Sequence, residues 1–196
     1  MIYSIAAKAN SDSLNGEIRL LVEKYADEIQ AILAKYPDKR SAVLPLMYLA
    51  QEGYGFMSHE AMRDVAGVLD LDPTEVLSLA GFYTLFYEEP VGKYVLEICN
   101  DLPCALRGAD EFVEMACKKL GVEQGGTTED GMFSVKTVMC LAACDKAPML
   151  QVNLKYEENL DEAKFDALIT RLREEAAEGQ APYFGVEAMK TALKQG

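Results

Sequence analysis

Four of the five cysteines in the sequence form two close pairs. Cys99 and Cys104 are separated by four residues, and Cys140 and Cys144 by three. The first cysteine of each pair follows a segment that we predict to be a strand. If a helical crossover joins these strands, they are parallel, and their carboxyl ends lie at the same edge of the sheet. The sequence therefore predicts that the four thiols meet at one place.

Four thiolates on two short loops suit two kinds of metal site. Zinc requires four ligands around one ion, whereas each iron of a 2Fe-2S cluster takes two cysteine ligands. Structural zinc sites favour two-residue gaps, and the longer gaps here indicate iron. Thiol redox chemistry is a third alternative, but the Cys-x-x-Cys motif typical of it is absent. Packing of the cysteines as inert apolar residues is the fourth, and the neighbouring Asp101, Pro103 and Asp145 argue against it. We predict one 2Fe-2S cluster.

The remaining candidates for chemistry are weaker. Cys117 lies on the inward stripe of a predicted helix, which indicates core packing. His59 is the only histidine, so a His/His metal site is excluded. Gly53-x-Gly55 is too short for a phosphate loop, and no GxGxxG or Walker sequence occurs. The chain therefore has no recognisable nucleotide site of its own.

Charge and composition restrict the partners. The 196 residues include 32 acidic and 19 basic side chains, which gives a net charge of −13. Such a chain repels nucleic acids and anionic lipid surfaces, so proteins and metal ions are the expected partners. No stretch reaches the ~18 apolar residues of a membrane span. The sequence has no recognisable secretory signal, so the expected location is the cytoplasm. In this reducing compartment, metal binding by cysteines is favoured over disulfide formation.

The first part of the chain is predicted to be a small helical bundle. Apolar residues recur at helical spacing from about Ser11, and Pro37 ends this first helix. A second apolar segment, 42–48, has Pro45 in its first turn or at a kink. Ser58 is the expected N-cap of a third helix, and Asp72 that of a fourth. The first stripe comprises Leu14, Ile18, Leu21, Val22, Tyr25, Ile29, Ile32 and Leu33.

The second part of the chain combines strands and helices. Its order is β-α-β-β-(β)-α, so the fold class is α/β (α+β), with residues 1–90 as the helical bundle and 91–178 as the second domain. Residues 179–196 are predicted to be a tail with a helix-like stretch at 186–193. The predicted segments are a strand at Lys93–Cys99, a helix from Ala109 that Gly121 closes, strands at Met132–Met139 and Met149–Leu154, and a helix at Asp161–Glu175.

The cysteine loops resemble those of a known family. Residues 99–108 read Cys-Asn-Asp-Leu-Pro-Cys-Ala-Leu-Arg-Gly, and residues 139–148 read Met-Cys-Leu-Ala-Ala-Cys-Asp-Lys-Ala-Pro. Both are similar to the thioredoxin-fold 2Fe-2S subunit of the NADH-oxidising module of respiratory complex I. The segments 45–55 and 81–86 extend the resemblance, which covers about residues 12–173. Ala142 departs from it, because the family often has glycine there, and alanine constrains φ in this loop.

The resemblance implies an electron-transfer subunit of NADH:quinone oxidoreductase with an N-terminal helical bundle and a thioredoxin-like ferredoxin domain. By position, the ligands of one 2Fe-2S cluster would be Cys99, Cys104, Cys140 and Cys144. It also implies a partner subunit that binds NADH and FMN, and a peripheral position on the cytoplasmic face of the inner membrane (the matrix side in a mitochondrion). The equivalent subunit of an NAD-linked hydrogenase or formate dehydrogenase is an alternative. A stand-alone thioredoxin-like ferredoxin and a zinc-stabilised interaction module are others.

The loops also suggest how the protein would tune such a cluster. Thiolate-ligated 2Fe-2S centres of this kind have potentials near about −400 mV, so we expect a low potential. We predict that residues 105–108 begin a helix whose free backbone amides face the cluster. Arg107 and Lys146 would place positive charge near the cluster, and Asp101 and Asp145 would place negative charge there.

Overall fold

The computed structural model describes residues 20–179, so the predicted stripe residues Leu14 and Ile18 and the helix-like stretch 186–193 lie outside the described residues. In chain order the elements are α1 (Leu20–Leu33), α2 (Val43–Tyr54), α3 (His59–Leu69), α4 (Pro73–Phe82), β1 (Tyr94–Cys99), α5 (Leu102–Ala105), α6 (Ala109–Leu120), β2 (Phe133–Val138), β3 (Leu150–Val152), β4 (Lys155–Glu157) and α7 (Glu162–Ala177). Helices thus precede a mixed α/β part, as predicted.

The beginnings of the first helices follow local sequence signals. The Ser58 side chain accepts a hydrogen bond from the amide of Ala61, and Asp72 accepts one from Thr74, so both predicted N-caps are confirmed. Pro45 lies in the first turn of α2, where its missing N–H costs little. This helix extends beyond the predicted segment 42–48 and ends where Gly55 adopts a φ of 83°.

The four N-terminal helices share one hydrophobic core. Helix α2 packs against α1 and α3, and α3 packs against α4. A polar contact inside this bundle involves the buried Asp64, whose carboxylate accepts hydrogen bonds from the Leu21 amide (3.2 Å) and the Tyr54 hydroxyl (2.6 Å). Fully buried members of this core include Leu21, Ile29, Ile32, Leu46, Met47, Leu49 and Met57.

The sheet has the strand order β2-β1-β3-β4. Strands β1 and β2 are parallel, with Tyr94 opposite Phe133 and Cys99 opposite Val138, which confirms the predicted crossover. Strand β3 is antiparallel to β1 and to β4. The prediction of a strand extending to Leu154 is wrong at its end, because Asn153 and Leu154 adopt positive φ and turn the chain into β4.

Helices α6 and α7 pack against one face of the sheet. Tyr94, Leu96 and Ile98 belong to the core on this face, as predicted, but the residues between them are buried as well, because β1 is a central strand. Helix α7 begins at its Asp161 cap, whose side chain accepts a hydrogen bond from the Lys164 amide. The core also contains Phe112, Val113, Ala116, Phe133, Val135, Leu150, Phe165, Leu168 and Leu172.

A buried glutamine connects the helical part to the segment that precedes the sheet. The Gln51 side-chain amide donates to the carbonyl of Leu85 (3.0 Å) and accepts from the amide of Tyr87 (2.8 Å). The ring of Tyr87 in turn lies beneath Lys136 of β2, with the ammonium nitrogen 4.4 Å from the ring centroid. Gln51 therefore fixes the backbone that joins the two parts of the chain.

We expect Gln51→Ala to lower the free energy of unfolding by about 2–3 kcal/mol. The substitution removes two hydrogen bonds and leaves the buried Tyr87 amide and the partly buried Leu85 carbonyl without these partners. Urea unfolding followed by circular dichroism measures the change. Gln30→Ala, at an exposed position of α1, is the matched control and should change the value by less than about 0.5 kcal/mol. Equal effects of the two substitutions would contradict this role of Gln51.

Candidate metal centre

The first cysteine pair lies on regular secondary structure. Cys99 is the last residue of β1, and Cys104 lies in the short helix α5 rather than in an open loop. The Asp101 side chain caps this helix by accepting a hydrogen bond from the Leu102 amide (2.9 Å). Cys99 is 1% exposed and Cys104 is 0% exposed. The interior of the protein therefore holds both of these thiols.

The second cysteine pair lies on the segment that follows β2. Cys140 is exposed, and Cys144 is half-buried at the start of a 3-10 turn, Cys144–Lys146. The Asn100 amide donates to the carbonyl of Val138 (3.2 Å), which holds the segments after β1 and β2 side by side. The parallel pairing of the strands thus delivers both cysteine pairs to one edge of the sheet, as predicted.

The four thiols meet as two pairs. The sulfurs of Cys140 and Cys144 are 3.9 Å apart, close to the ~3.8 Å between two sulfurs that share a tetrahedral metal at ~2.3 Å. The thiols of Cys99, Cys144 and Cys140 all contribute to the raised pKa of Cys104, which indicates that the two pairs are neighbours. All four are free thiols. Within residues 20–179, no three His, Cys, Asp or Glu side chains form a ligand group for a single ion.

The surroundings of Cys104 and Cys144 favour the protonated thiols while no metal is bound. Burial, together with the hydrogen bond to Cys99, raises the pKa of Cys104 to about 12. The hydrogen bond with Cys140 is the main cause that raises the pKa of Cys144. A bound metal reverses this preference, because its positive charge stabilises the thiolates. A thiol site of this kind releases protons when it takes up metal.

The predicted hydrogen-bond donors after Cys104 are wrong. Residues 105–108 complete α5 and the turn that follows it, so their amides donate to the backbone carbonyls of Asp101, Leu102, Cys104 and Ala105. Helix α5 begins at Leu102, before the cysteine, whereas the prediction placed a helix start behind it. The backbone of the other cysteine segment instead supplies a donor, the amide of Ala142, which lies 3.3 Å from the sulfur of Cys140.

Ala142 adopts the left-handed backbone conformation, with a φ of 59°. Glycine enters this region at no steric cost, whereas an alanine pays about 1–2 kcal/mol for it. This is the position at which the resembling family often has glycine. The structure supplies the physical reason, since this conformation directs the Ala142 amide towards the Cys140 sulfur.

We expect Ala142→Gly to be tolerated and Ala142→Val to be harmful. Glycine relieves the strain and keeps the amide, whereas a β-branched side chain is strongly disfavoured at positive φ. The loop of the valine variant should leave the left-handed conformation and lose the contact with Cys140. The measurement is the iron content of each variant after reconstitution and gel filtration. Wild-type iron content in the valine variant would contradict the expectation.

Two side chains from other elements contact the backbone of the second cysteine segment. Arg107 donates through Nε to the carbonyl of Ala147 (3.1 Å), and the Tyr156 hydroxyl of β4 donates to the carbonyl of Leu141 (2.7 Å). Sequence reasoning named Arg107 only as a nearby cation, and it missed Tyr156 altogether. Lys146, the other predicted cation, forms an ion pair with Asp145 on its own turn (3.5 Å).

The other residues considered from sequence lie away from the cysteine pairs. Cys117 is half-buried against the core between the sheet and its helices, and burial raises its pKa. This placement agrees with the predicted packing role. His59 is exposed at the start of α3. Among the helices of residues 20–179, none is long and apolar enough to cross a membrane.

The fold and the paired thiols are those expected of an α/β protein that binds a metal centre through cysteines. A family model described as "Thioredoxin-like [2Fe-2S] ferredoxin" matches residues 29–173, and the chain belongs to this family. The predicted thioredoxin-like fold class is thereby confirmed. A 2Fe-2S cluster is also the cofactor that the two thiol pairs fit, because each iron of such a cluster takes two thiolates.

Three of the curated relatives that the chain resembles are named as subunits of an NADH-quinone oxidoreductase. The chain is 41% identical over 147 residues to one from Rhizobium meliloti (strain 1021), covering 75% of this chain and 88% of the relative. It is 41% identical to another from Rickettsia prowazekii (strain Madrid E), covering 71% and 81%. It is 38% identical to "NADH-quinone oxidoreductase subunit 2" of Thermus thermophilus, covering 75% and 83%.

Solved structures share the fold. A chain of the NAD+-reducing [NiFe]-hydrogenase in its H2-reduced state aligns with a TM-score of 0.58 at 22% identity, covering 66% of this chain and 22% of that one. The air-oxidised state of such a hydrogenase gives a TM-score of 0.56 at 23% identity, covering 78% and 24%. The chain thus corresponds to about a quarter or less of these hydrogenase chains, and the likeness concerns the fold.

Proposed function

We propose that the chain is an electron-transfer subunit of an NADH:quinone oxidoreductase, and that Cys99, Cys104, Cys140 and Cys144 hold one 2Fe-2S cluster. The observation that carries this proposal is the meeting of two thiol pairs from separate loops at one edge of the sheet. Residues 1–90 would form the helical domain, residues 91–178 the cluster-binding domain, and residues 179–196 a tail. Membership in the 2Fe-2S family and the names of the relatives support the assignment.

When bound, such a cluster supplies a one-electron carrier, and the chain supplies the ligands and their surroundings. The pair on β1 and α5 would anchor the cluster in the interior, because both of its thiols are buried. The pair after β2 would bind the side of the cluster that faces solvent, because Cys140 is exposed. Leu102, Leu106 and Met139, which lie beside these loops, are largely exposed apolar side chains. This edge is therefore the side from which a redox partner can approach.

The partner in this proposal is a subunit that binds NADH and FMN. The sequence contains no GxGxxG or Walker motif, and in this proposal the partner supplies the nucleotide sites. Electrons would enter that partner as hydride and reach this chain singly. The assembly would lie on the cytoplasmic face of the inner membrane, or on the matrix side in a mitochondrion, as a peripheral part of the complex.

A second candidate is the corresponding subunit of an NAD-linked hydrogenase. The fold likeness to the NAD+-reducing [NiFe]-hydrogenase is the observation that favours it. The relatives at about 40% identity instead have names from the quinone-linked enzyme, and they match over most of their own length. For this reason we place the quinone-linked function first.

Purification of the tagged chain from its native host tests the proposal. We expect a flavoprotein to co-purify, and NADH added under anaerobic conditions to bleach the iron–sulfur absorbance of that complex. The isolated chain is the control and should not respond to NADH, because its electron donor is missing. Transfer of electrons to a quinone distinguishes the first candidate from the second, which would instead show NAD-dependent hydrogenase activity. Recovery of the chain alone, without flavin, would contradict both.

A further inference from the structure

One peptide group next to Cys140 is held at both of its polar atoms. The carbonyl oxygen of Leu141 accepts a hydrogen bond from the Tyr156 hydroxyl, with the two oxygens 2.7 Å apart. The amide nitrogen of Ala142 donates to the Cys140 sulfur at 3.3 Å. This oxygen and this nitrogen belong to the same trans peptide, in which C=O and N–H point in opposite directions. When Tyr156 fixes the oxygen, it therefore fixes the direction of the N–H as well.

Tyr156 is positioned independently of the cysteine segment. It lies in β4, the outermost strand, where it pairs with Gln151 of β3. The residue is 49% exposed, so the hydrophobic core does not depend on its ring. The β3–β4 hairpin thus presents the hydroxyl group to a loop that is far from it in sequence.

The peptide needs this restraint because its conformation is strained. Between the end of β2 at Val138 and the turn at Cys144, the segment has no regular hydrogen-bonded structure. Ala142 is held in the left-handed region, which an alanine leaves when nothing retains it. Rotation of the Leu141–Ala142 peptide would turn its N–H away from the Cys140 sulfur.

We propose that Tyr156 is a positioning residue that raises the reduction potential of the bound cluster by aiming the Ala142 amide at the Cys140 sulfur. A hydrogen bond to a ligand sulfur stabilises the more negative, reduced state. The contact from the hydroxyl to the carbonyl polarises the same peptide and strengthens its N–H as a donor. This inference rests on the proposed function, because it takes Cys140 as a cluster ligand.

The test is Tyr156→Phe in the full chain, reconstituted with iron and sulfide under anaerobic conditions. The substitution removes only the hydroxyl group. An EPR-monitored redox titration should show the equilibrium constant for one-electron reduction falling at least threefold, a shift of about 28 mV to lower potential at 59 mV per tenfold. Tyr36→Phe, at another partly exposed tyrosine, is the matched control and should leave the potential unchanged.

An unchanged potential in the Tyr156→Phe variant would overturn the inference, even if that variant lost its cluster faster. If the variant retains no cluster, amide hydrogen exchange in the full-length apoprotein decides the question. Exchange of the Ala142 amide at least threefold faster than in the wild-type chain would support the inference, and an equal rate would overturn it. A wild-type chain that binds no cluster would contradict the proposed function instead, and the exchange comparison would still test the contact.

Discussion

Replacing Cys104 by alanine is expected to abolish stable binding of the 2Fe-2S cluster. Cys104 is 0% exposed and interacts with Cys99 and with both cysteines of the second pair. In the proposed ligand assignment, its loss would leave one iron with a single cysteine ligand at a position that is closed to solvent. After anaerobic reconstitution, we expect less than about a tenth of the wild-type iron and sulfide content. This limit corresponds to at least about 1.4 kcal/mol of binding free energy.

The fifth cysteine provides a control of the same residue type. Cys117 is half-buried in α6 and packs against the core away from the two pairs. Cys117→Ala should therefore retain full iron and sulfide content and an unchanged EPR spectrum. Its cost should be limited to stability, at about 1 kcal/mol or less, because only one sulfur atom is removed from a partly exposed position. Loss of the cluster in this variant, or its retention in Cys104→Ala, would contradict the ligand assignment.

Truncation of Phe165 should cause the largest loss of stability. Phe165 of α7 is fully buried between the helix and the sheet, and its ring contacts that of Phe112 edge-on, with centroids 5.6 Å apart. Phe165→Ala removes this contact and leaves a cavity that the sheet and α6 fill only in part. We expect the free energy of unfolding to fall by about 3–5 kcal/mol. Chemical denaturation of the apoprotein measures this change without the contribution of the cluster.

Phe82 is the matched control for this stability prediction. It ends α4 and is 75% exposed, in contact with the neighbouring Tyr83 ring. Phe82→Ala should change the free energy of unfolding by no more than about 0.5 kcal/mol, because little apolar surface returns to water. Comparable losses in the two variants would show that the packing of α7 against the sheet does not stabilise the fold as described.

The features that were predictable from sequence depend on short-range signals or on topology. The caps at Ser58 and Asp72 are encoded within four residues of each helix start. The meeting of the thiol pairs follows from the handedness and parallel direction of a β-α-β crossover, which few alternatives can satisfy. For these reasons the place of the candidate metal centre could be predicted without coordinates.

The errors occurred where local patterns allow two conformations. Leu154 continues the alternation of β3, yet the chain turns at Asn153, and apolar spacing does not reveal that turn. The predicted helix start after Cys104 is too late, because the Asp101 cap and Pro103 in the first turn already begin a helix at Leu102. Because the helix begins before Cys104, the amides of residues 105–108 all find backbone carbonyls as hydrogen-bond acceptors.

The contacts that restrain the second cysteine segment were beyond sequence reasoning. Tyr156 reaches Leu141 only because β4 is folded back beside β3, at the outer edge of the sheet. Arg107 reaches Ala147 across the space between the two cysteine segments. Both contacts join a side chain to a backbone carbonyl, so no complementary pair of residue types marks them in the sequence. Such contacts require the tertiary structure.

Iron and acid-labile sulfide analysis of the reconstituted full chain, combined with low-temperature EPR after dithionite reduction, tests the central claim most directly. We expect two irons and two sulfides per chain and one rhombic signal from a single unpaired electron, which a reduced 2Fe-2S centre with thiolate ligands gives. The signal should account for about one spin per chain. A colourless chain that binds one zinc ion and no sulfide would contradict the claim, because its four thiols would then surround a single ion.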